Sequence, residues 1–347
     1  METKRVTMRE VARRAGVHCT TVSRALLRDP RIPADTRDRI RRLADAMGYA
    51  PDPMVSALNA YRCRIVEPRY HGNIAWVTNG FTREGWNTCK TFALLREGAL
   101  KRAAELGYKL EDFWLREPGM TGRRASDILC ARNIRGLLLP PQPRYQTRVD
   151  LRWDHFAAIA FGYTLASPRL HLVSNNTFLS MQTAVTRARE LGYRRLGLII
   201  SPAANHRVQR MWRAGFFEQQ QDWPRQERLP VCLYENVDSN ILRWMDRHRP
   251  DAVVCHEPRV FALLKENGYR IPQDVGYLTQ SIGDYAAEVS GVYENPLESG
   301  ITAVDFLVPM IHRAEWGIPR IPQRLLSEGT WREGRTLPRK SAAPAMV

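Results

Sequence analysis

Cys19, Thr20, Thr21, Ser23 and Arg24 place thiol, hydroxyl and guanidinium groups close together near the start of the 347-residue chain. Their chemistry is recognition rather than bond making. A guanidinium matches the two acceptors of a guanine edge, and hydroxyls take base edges or phosphate oxygens. To act together they need one helix face. Val22 and Ala25 can turn the opposite face inward, with the helix starting near His18 or Cys19. Upstream, Thr7 can cap a first helix with Glu10 three residues on, and Val11, Ala12 and Ala15 supply its apolar stripe. Gly16 permits the positive φ that ends that helix, after which Val17 tucks inward. The pattern is a helix-turn-helix that offers its second helix to a major groove. An ordinary helical hairpin shares the apolar spacing. The capping box, the Ala-Gly turn and T-V-S-R-A-L in one run favour the DNA reader.

Catalytic chemistry finds little footing. His256-Glu257 is an adjacent acid-base pair with no nucleophile motif, H-E-x-x-H or phosphate-cradling glycine loop beside it. The six cysteines, at 19, 63, 89, 130, 232 and 255, show no metal-ligand spacing and imply a reducing compartment. No enzyme activity, cofactor or metal is expected. The net charge of +16 suits a polyanionic partner, and residues 1–64 hold fourteen Lys or Arg against seven Asp or Glu. The charged N-terminus and the lack of an apolar run near 20 residues predict a cytoplasmic protein with no membrane partner.

The elements that must position these groups follow in order. A third helix is expected from about Ala34 to Met47, ended by Gly48; Pro33 precedes it, where a Ser or Thr would cap better. Its Arg37, Arg39, Arg41 and Arg42 read as a solvated face. Pro51 stops continuation, while Asp52 and Pro53 suit the cap and first turn of a short helix to about Ala60. A basic linker runs from Tyr61 to His71. Apolar runs then alternate with amphipathic helices, which predicts two lobes of parallel sheet flanked by helices, an α/β fold. Strands are expected at 74–78, 110–115, 136–139, 157–161, 196–200, 231–234 and 252–255, and helices at 92–106, 126–132, 177–191, 208–220, 239–248 and 260–267. One last strand is expected over 325–332.

The N-terminal run resembles the DNA-binding headpiece of the LacI family of bacterial transcription regulators. The looser phrases A-A-E-L-G-Y at 103–108, R-E-L-G-Y-R-R-L-G-L-I at 189–199, P-D-A-V-V-C at 250–255 and G-Y-R-I-P-Q-D-V at 268–275 resemble that family's periplasmic-binding-protein-like core. The resemblance implies a headpiece over 1–50, a hinge helix and linker over 51–71, a core over 72–335 and a tail over 336–347. The first lobe would hold about 72–165 and 291–322, the second about 166–290 and 323–335. It further implies a homodimeric, sequence-specific regulator, a repressor by expectation, on a palindromic double-stranded operator and under a small-molecule effector. Cys19, Thr20 and Arg24 would reach base edges, and Thr7, Thr21 and Ser23 the backbone. Tyr49, Pro53 and Leu58 complete the DNA-contacting set, with Leu58 as a minor-groove wedge.

A ligand in doubly wound lobes sits at the carboxyl ends of the strands, after Thr78, Pro140, Phe161, Ser201, Cys255 and Thr279. The expected effector-binding residues are Asn79, Phe81, Trp86, Asn176, Arg210, Trp212, His256, Glu257, Gln280, Ser281 and Glu294. Sugar-binding members of the family carry Asp, Arg and Asp where Asn176, Trp212 and Ser281 stand, which argues against a simple hexose. Carbohydrate is still the first ligand class and a purine or other heterocycle the second. Two other functions fit parts of the pattern: an architectural DNA-binding protein whose core only dimerises, and a solute-binding transport component.

Overall fold

The computed structural model describes residues 6–26, 32–49, 70–283, 285 and 288–340. The expected hinge helix, with Pro53 and Leu58, lies outside them. Helices α1 (Met8–Ala15), α2 (Cys19–Leu26) and α3 (Ala34–Ala46) close around Val11, Val22 and Ile40, each fully buried. Gly16 sits at φ 67°, in the left-handed region expected of it, and its N–H returns to the carbonyls of α1. Pro33 leaves α3 without a side-chain cap. Arg39 departs from the solvated-face reading. Its Nη1 donates to the Ala15 carbonyl at 3.2 Å, satisfying an orphan carbonyl at the end of α1.

The core builds two six-stranded sheets from strands β1 (Gly72–Thr78), β2 (Tyr108–Trp114), β3 (Ile134–Leu139), β4 (Thr147–Arg148), β5 (Ala157–Phe161), β6 (Leu165–Ser167) and β7 (His171–Asn175), then β8 (Leu196–Ile200), β9 (Cys232–Leu233), β10 (Ala252–Val254), β11 (Gly276–Thr279), β12 (Ser290–Tyr293), β13 (Arg324–Ser327) and β14 (Thr330–Arg332). The first sheet runs β13-β7-β5-β3-β1-β2 and the second β14-β12-β11-β10-β8-β9, while β4 and β6 form a small pair of their own. Within the two large sheets the pairings are parallel except β12 with β14. Apolar clusters cover both faces of each sheet, which is why strands such as β5 and β8 read as continuous apolar runs. The flanking helices are α4 (Lys90–Glu105), α5 (Gly122–Ala131), α6 (Thr177–Glu190), α7 (Pro202–Arg207), α8 (Met211–Gln220), α9 (Ser239–His248), α10 (Pro258–Glu266) and α11 (Pro296–His312).

The sequence-based boundaries hold for β5, β8 and α9 and shift by a few residues elsewhere. Three expectations are corrected. The strand expected over 325–332 is two strands: β13 pairs with β7 in the first sheet and β14 with β12 in the second. The first crossing between lobes falls after Asn175 rather than near 165, because β7 still pairs with β5. Thr336 and Leu337, assigned to a tail, belong to the second lobe. The Thr336 hydroxyl donates to the Tyr277 carbonyl at 2.7 Å, and Leu337 is buried in that lobe's core.

The chain therefore crosses between lobes three times, and the crossings are bonded to one another. Asn176 N donates to the Ser327 carbonyl at 2.8 Å, Asn175 Nδ2 to Glu294 Oε1 at 2.6 Å, and Asn295 Nδ2 to the Glu328 carbonyl at 3.0 Å. In the first lobe α4 and α11 cross at close range. A methyl group on Gly98 would overlap the Leu297 carbonyl oxygen, and one on Gly300 the Leu95 carbonyl oxygen. Gly98→Ala must push the helices apart, and overpacking of this kind costs about 1–3 kcal/mol. Chemical denaturation should show that loss, whereas Lys101→Ala, exposed on the same helix, should leave the midpoint unchanged.

Candidate functional site

The first candidate surface is the outer face of α2. The capping box that starts α1 is complete: Thr7 N donates to Glu10 Oε2 at 2.7 Å, and Glu10 N to Thr7 Oγ1 at 3.3 Å. Val22 and Ala25 anchor α2 from within. Thr20 and Arg24 are exposed, Thr21 and Ser23 half-buried, and Cys19 packs partly against the headpiece core. Tyr49 likewise packs its ring against that core, so any reach toward DNA is confined to its outer edge. One contributor escaped the sequence reading. His18 Nδ1 and the Thr20 hydroxyl are hydrogen-bonded at 2.9 Å, and Thr20 N donates to Nδ1 at 3.4 Å, so the imidazole caps α2 and orients Thr20. Loss of one such hydrogen bond is worth about 1 kcal/mol. His18→Ala should lower headpiece stability by that amount, read as a shift of the headpiece amide signals in thermal melts.

The second candidate site is a cavity of about 280 Å³ between the lobes. It lies at the carboxyl ends of the strands, as the doubly wound rule requires, and Pro141, Gly162 to Thr164, Arg207, His256 and Ser281 bring in most of the loops expected there. Asn175 and Glu294, on two of the three crossings, face it as well. Four of the expected ligand residues line it: Trp212, His256, Ser281 and Glu294.

The other expected residues whose side chains are described do not line it. Asn79 Oδ1 accepts Arg116 Nε at 3.1 Å, and Phe81 is exposed with the Arg116 and Arg144 guanidiniums over its ring. Asn176 caps α6 by accepting Leu179 N at 3.2 Å. Arg210 is exposed, at φ 63°, just before α8. Glu257 caps α10 and pairs with Arg259 at 3.0 Å. Gln280 is fully buried beside Ser281 without lining the cavity, and neither end of its amide has a protein partner. Trp86 falls in the turn Gly85–Thr88, and its side chain lies outside the described set.

The electrostatics of the cavity are lopsided. Glu294 is half-buried, and removal from water pushes its carboxyl up to about 7 despite hydrogen bonds from Ser281 and Asn175. His256, also half-buried, is pushed down to about 4 by desolvation, so its imidazole is neutral near pH 7. Its ring lies 5.0 Å from that of Trp212, and neither His256 Nδ1 nor Trp212 Nε1 has a protein partner. Buried polar groups in this state are places for water or ligand atoms. Phe92, Leu95, Phe161, Tyr163 and Val208 make much of the remaining wall apolar. Sequence reasoning passed over Arg207 and Asn175; Ser201 followed by Pro202, a cap and first-turn signal, marks the helix that delivers Arg207. Among the described residues no cluster could hold a metal ion, and no helix is long and apolar enough to cross a membrane.

Comparison with known proteins places both sites in context. Residues 7–52 match the family model described as bacterial regulatory proteins, lacI family, and residues 185–336 match a periplasmic binding protein-like domain. The HTH-type transcriptional regulator GalR of Streptococcus thermophilus is 30% identical over 128 residues, 36% of this chain and 35% of that protein. The regulator PtxS of Pseudomonas plecoglossicida is 44% identical over 63 residues, 18% of each. The aligned stretches thus span about a third and under a fifth of these relatives. Among solved structures, the transcriptional regulator CelR in complex with cellobiose aligns with a TM-score of 0.56 at 20% identity, covering 96% of this chain and 100% of that one. The lac repressor dimer bound to operator and the anti-inducer ONPF aligns at 0.55 and 17%, with the same coverage. The regulator CCPA of Weissella paramesenteroides with bound glucose aligns at 0.54 and 12%, over 77% of this chain and 98% of that one.

Proposed function

We propose that the chain is a transcriptional regulator of the lacI family and not an enzyme, and that it binds a palindromic operator as a homodimer and represses transcription from it. The observation that carries the reading is the capped helix pair inside the matched headpiece, with Thr20 and Arg24 exposed on the second helix. Cys19, Thr20 and Arg24 read base edges, while Thr7, Thr21 and Ser23 hold the phosphate backbone. Leu58 remains the minor-groove wedge on sequence grounds alone.

The cleft supplies the control. A ligand there touches both lobes and the crossings at Asn175 and Glu294, so its affinity differs between open and closed cores, and only that difference can move DNA affinity. Carbohydrate is the ligand class we favour, supported by the cellobiose and glucose held by proteins of this fold and by aromatic walls beside a carboxyl and an amide. A small-molecule response in a protein that reads DNA supports a cytoplasmic location.

The test is a thermal-shift series on the full chain with monosaccharides, disaccharides and nucleosides, followed by operator titration with whatever stabilises the core. A ligand that binds the folded state at 100 times its Kd raises stability by about 2.7 kcal/mol. A sugar that does this and also changes operator affinity is the expected result. Stabilisation by nucleosides alone would replace carbohydrate by a heterocycle, and no stabilisation by either would leave a core that only dimerises.

A further inference from the structure

Arg207 closes helix α7 in the second lobe and turns its side chain to the cavity wall. It is half-buried, and Nη1 donates to the Pro143 carbonyl of the first lobe at 3.0 Å. No carboxylate pairs with it among the described residues, unlike Arg96, Arg102 and Arg189, each of which meets an Asp or Glu. Among the described residues Glu294 is the one acidic side chain on the wall, and it is held by Asn175 and Ser281. A guanidinium has five N–H donors in a planar fork, and among the described residues one of them is bonded, to the Pro143 carbonyl. Burying a cation without a counter-charge is costly, and desolvation already pulls the Arg207 pKa below its usual value. The cost is repaid when an anion arrives.

The rest of the wall narrows the choice of anion. The cavity lies at the small end of ligand sites, which suits a monosaccharide-sized molecule. Trp212 and Phe161 offer flat apolar faces, while Glu294, Asn175 and Ser281 offer partners for hydroxyls. Near pH 7 the raised Glu294 carboxyl opposes a bound anion less than an ordinary carboxylate would, and neutral His256 leaves Arg207 as the cationic group on the described wall.

We propose that the effector is a sugar acid whose carboxylate is held by the free N–H groups of Arg207 while its hydroxyls face Glu294 and Asn175. This rests on the carbohydrate reading above and deepens it. Because Arg207 already bridges to the first-lobe loop at Pro143, a carboxylate docked there draws on a contact that exists only when the lobes are together. The ligand therefore favours closure.

Isothermal titration of the full chain with D-glucuronate and D-galacturonate, each beside its neutral hexose and the hexose 6-phosphate, tests it. The expected result is that at least one uronate binds tenfold or more tighter than its neutral parent, with affinity falling as salt rises. Arg207→Gln should erase the preference while leaving the weak affinity for the neutral sugar and the melting temperature unchanged; Arg207→Lys should recover part of it. Equal binding of acid and parent, or a uronate preference that survives Arg207→Gln, would overturn the role of Arg207 and leave the carbohydrate reading standing. Preference for the 6-phosphate would overturn the sugar acid. Binding by none of the six would overturn both readings together.

Discussion

Arg24→Ala should relax sequence preference at one base pair of the operator half-site by about 1–3 kcal/mol, the discrimination carried by a bidentate guanidinium on a guanine edge. Arg24 is exposed on α2, one turn beyond Thr20, with Ala25 and Val22 holding the helix from beneath. The substitution leaves that core untouched, so the loss should appear in recognition and not in folding. Thr21→Ala provides the contrast. A hydroxyl that holds the phosphate backbone carries no base identity, and its loss should weaken every duplex alike. Titrations of the two variants against an operator and its single-base variants, at matched salt, separate the roles. Equal, sequence-independent losses from both would mean that α2 does not read bases in this way.

Glu294→Gln should stabilise the protein by roughly 3 kcal/mol at pH 8 and change little at pH 4, following 1.36 kcal/mol per unit between the usual carboxyl value and the raised one. In the folded chain the carboxyl keeps its proton up to about 7, whereas the unfolded chain gives it up near the ordinary 4.5. Between those values the folded state binds more protons, so stability falls as pH rises and is lowest above 7. Glutamine keeps an acceptor for Asn175 Nδ2, and its amide N–H can donate to the Ser281 hydroxyl once that hydroxyl turns from donor to acceptor, without any charge to desolvate. Urea denaturation of both proteins from pH 4 to 8 gives the difference curve. A flat difference would show that removal from water does not hold Glu294 protonated.

The headpiece was legible because its devices are local. Thr7 with Glu10 and the left-handed Gly16 are each settled within a few residues, and the structure has both. The apolar runs at 157–161 and 196–200 were legible because strands covered on both faces carry no polar alternation. The sheet to which each segment belongs was not. Arg324 to Arg332 has the length of one strand, and its division between two sheets depends on pairing with β7 and β12, which are distant in sequence. Half of the 325–332 run is also less apolar in use than in composition: Leu325 and Leu326 are exposed on the sheet edge.

The ligand site was legible at the level of strand ends and less so at the level of side chains. Asn176 was chosen for the residue type at the lobe crossing, yet its oxygen is spent capping α6, and its neighbour Asn175 reaches Glu294 instead. Glu257 was chosen for its place after β10 and is spent on α10 and Arg259. Arg207 was missed because the helix was expected to begin at 208, whereas Ser201 and Pro202 start a short helix six residues earlier.

The measurement that bears most directly on the account is selection of binding sites from a pool of random duplexes by the full chain, followed by sequencing. The account predicts enrichment of an inverted repeat whose half-sites are read in the major groove, with the conserved position of each half-site relaxed by Arg24→Ala. A pool that stays random while binding remains tight at low salt and collapses with added salt would contradict it, because that is the behaviour of a basic surface holding phosphate alone.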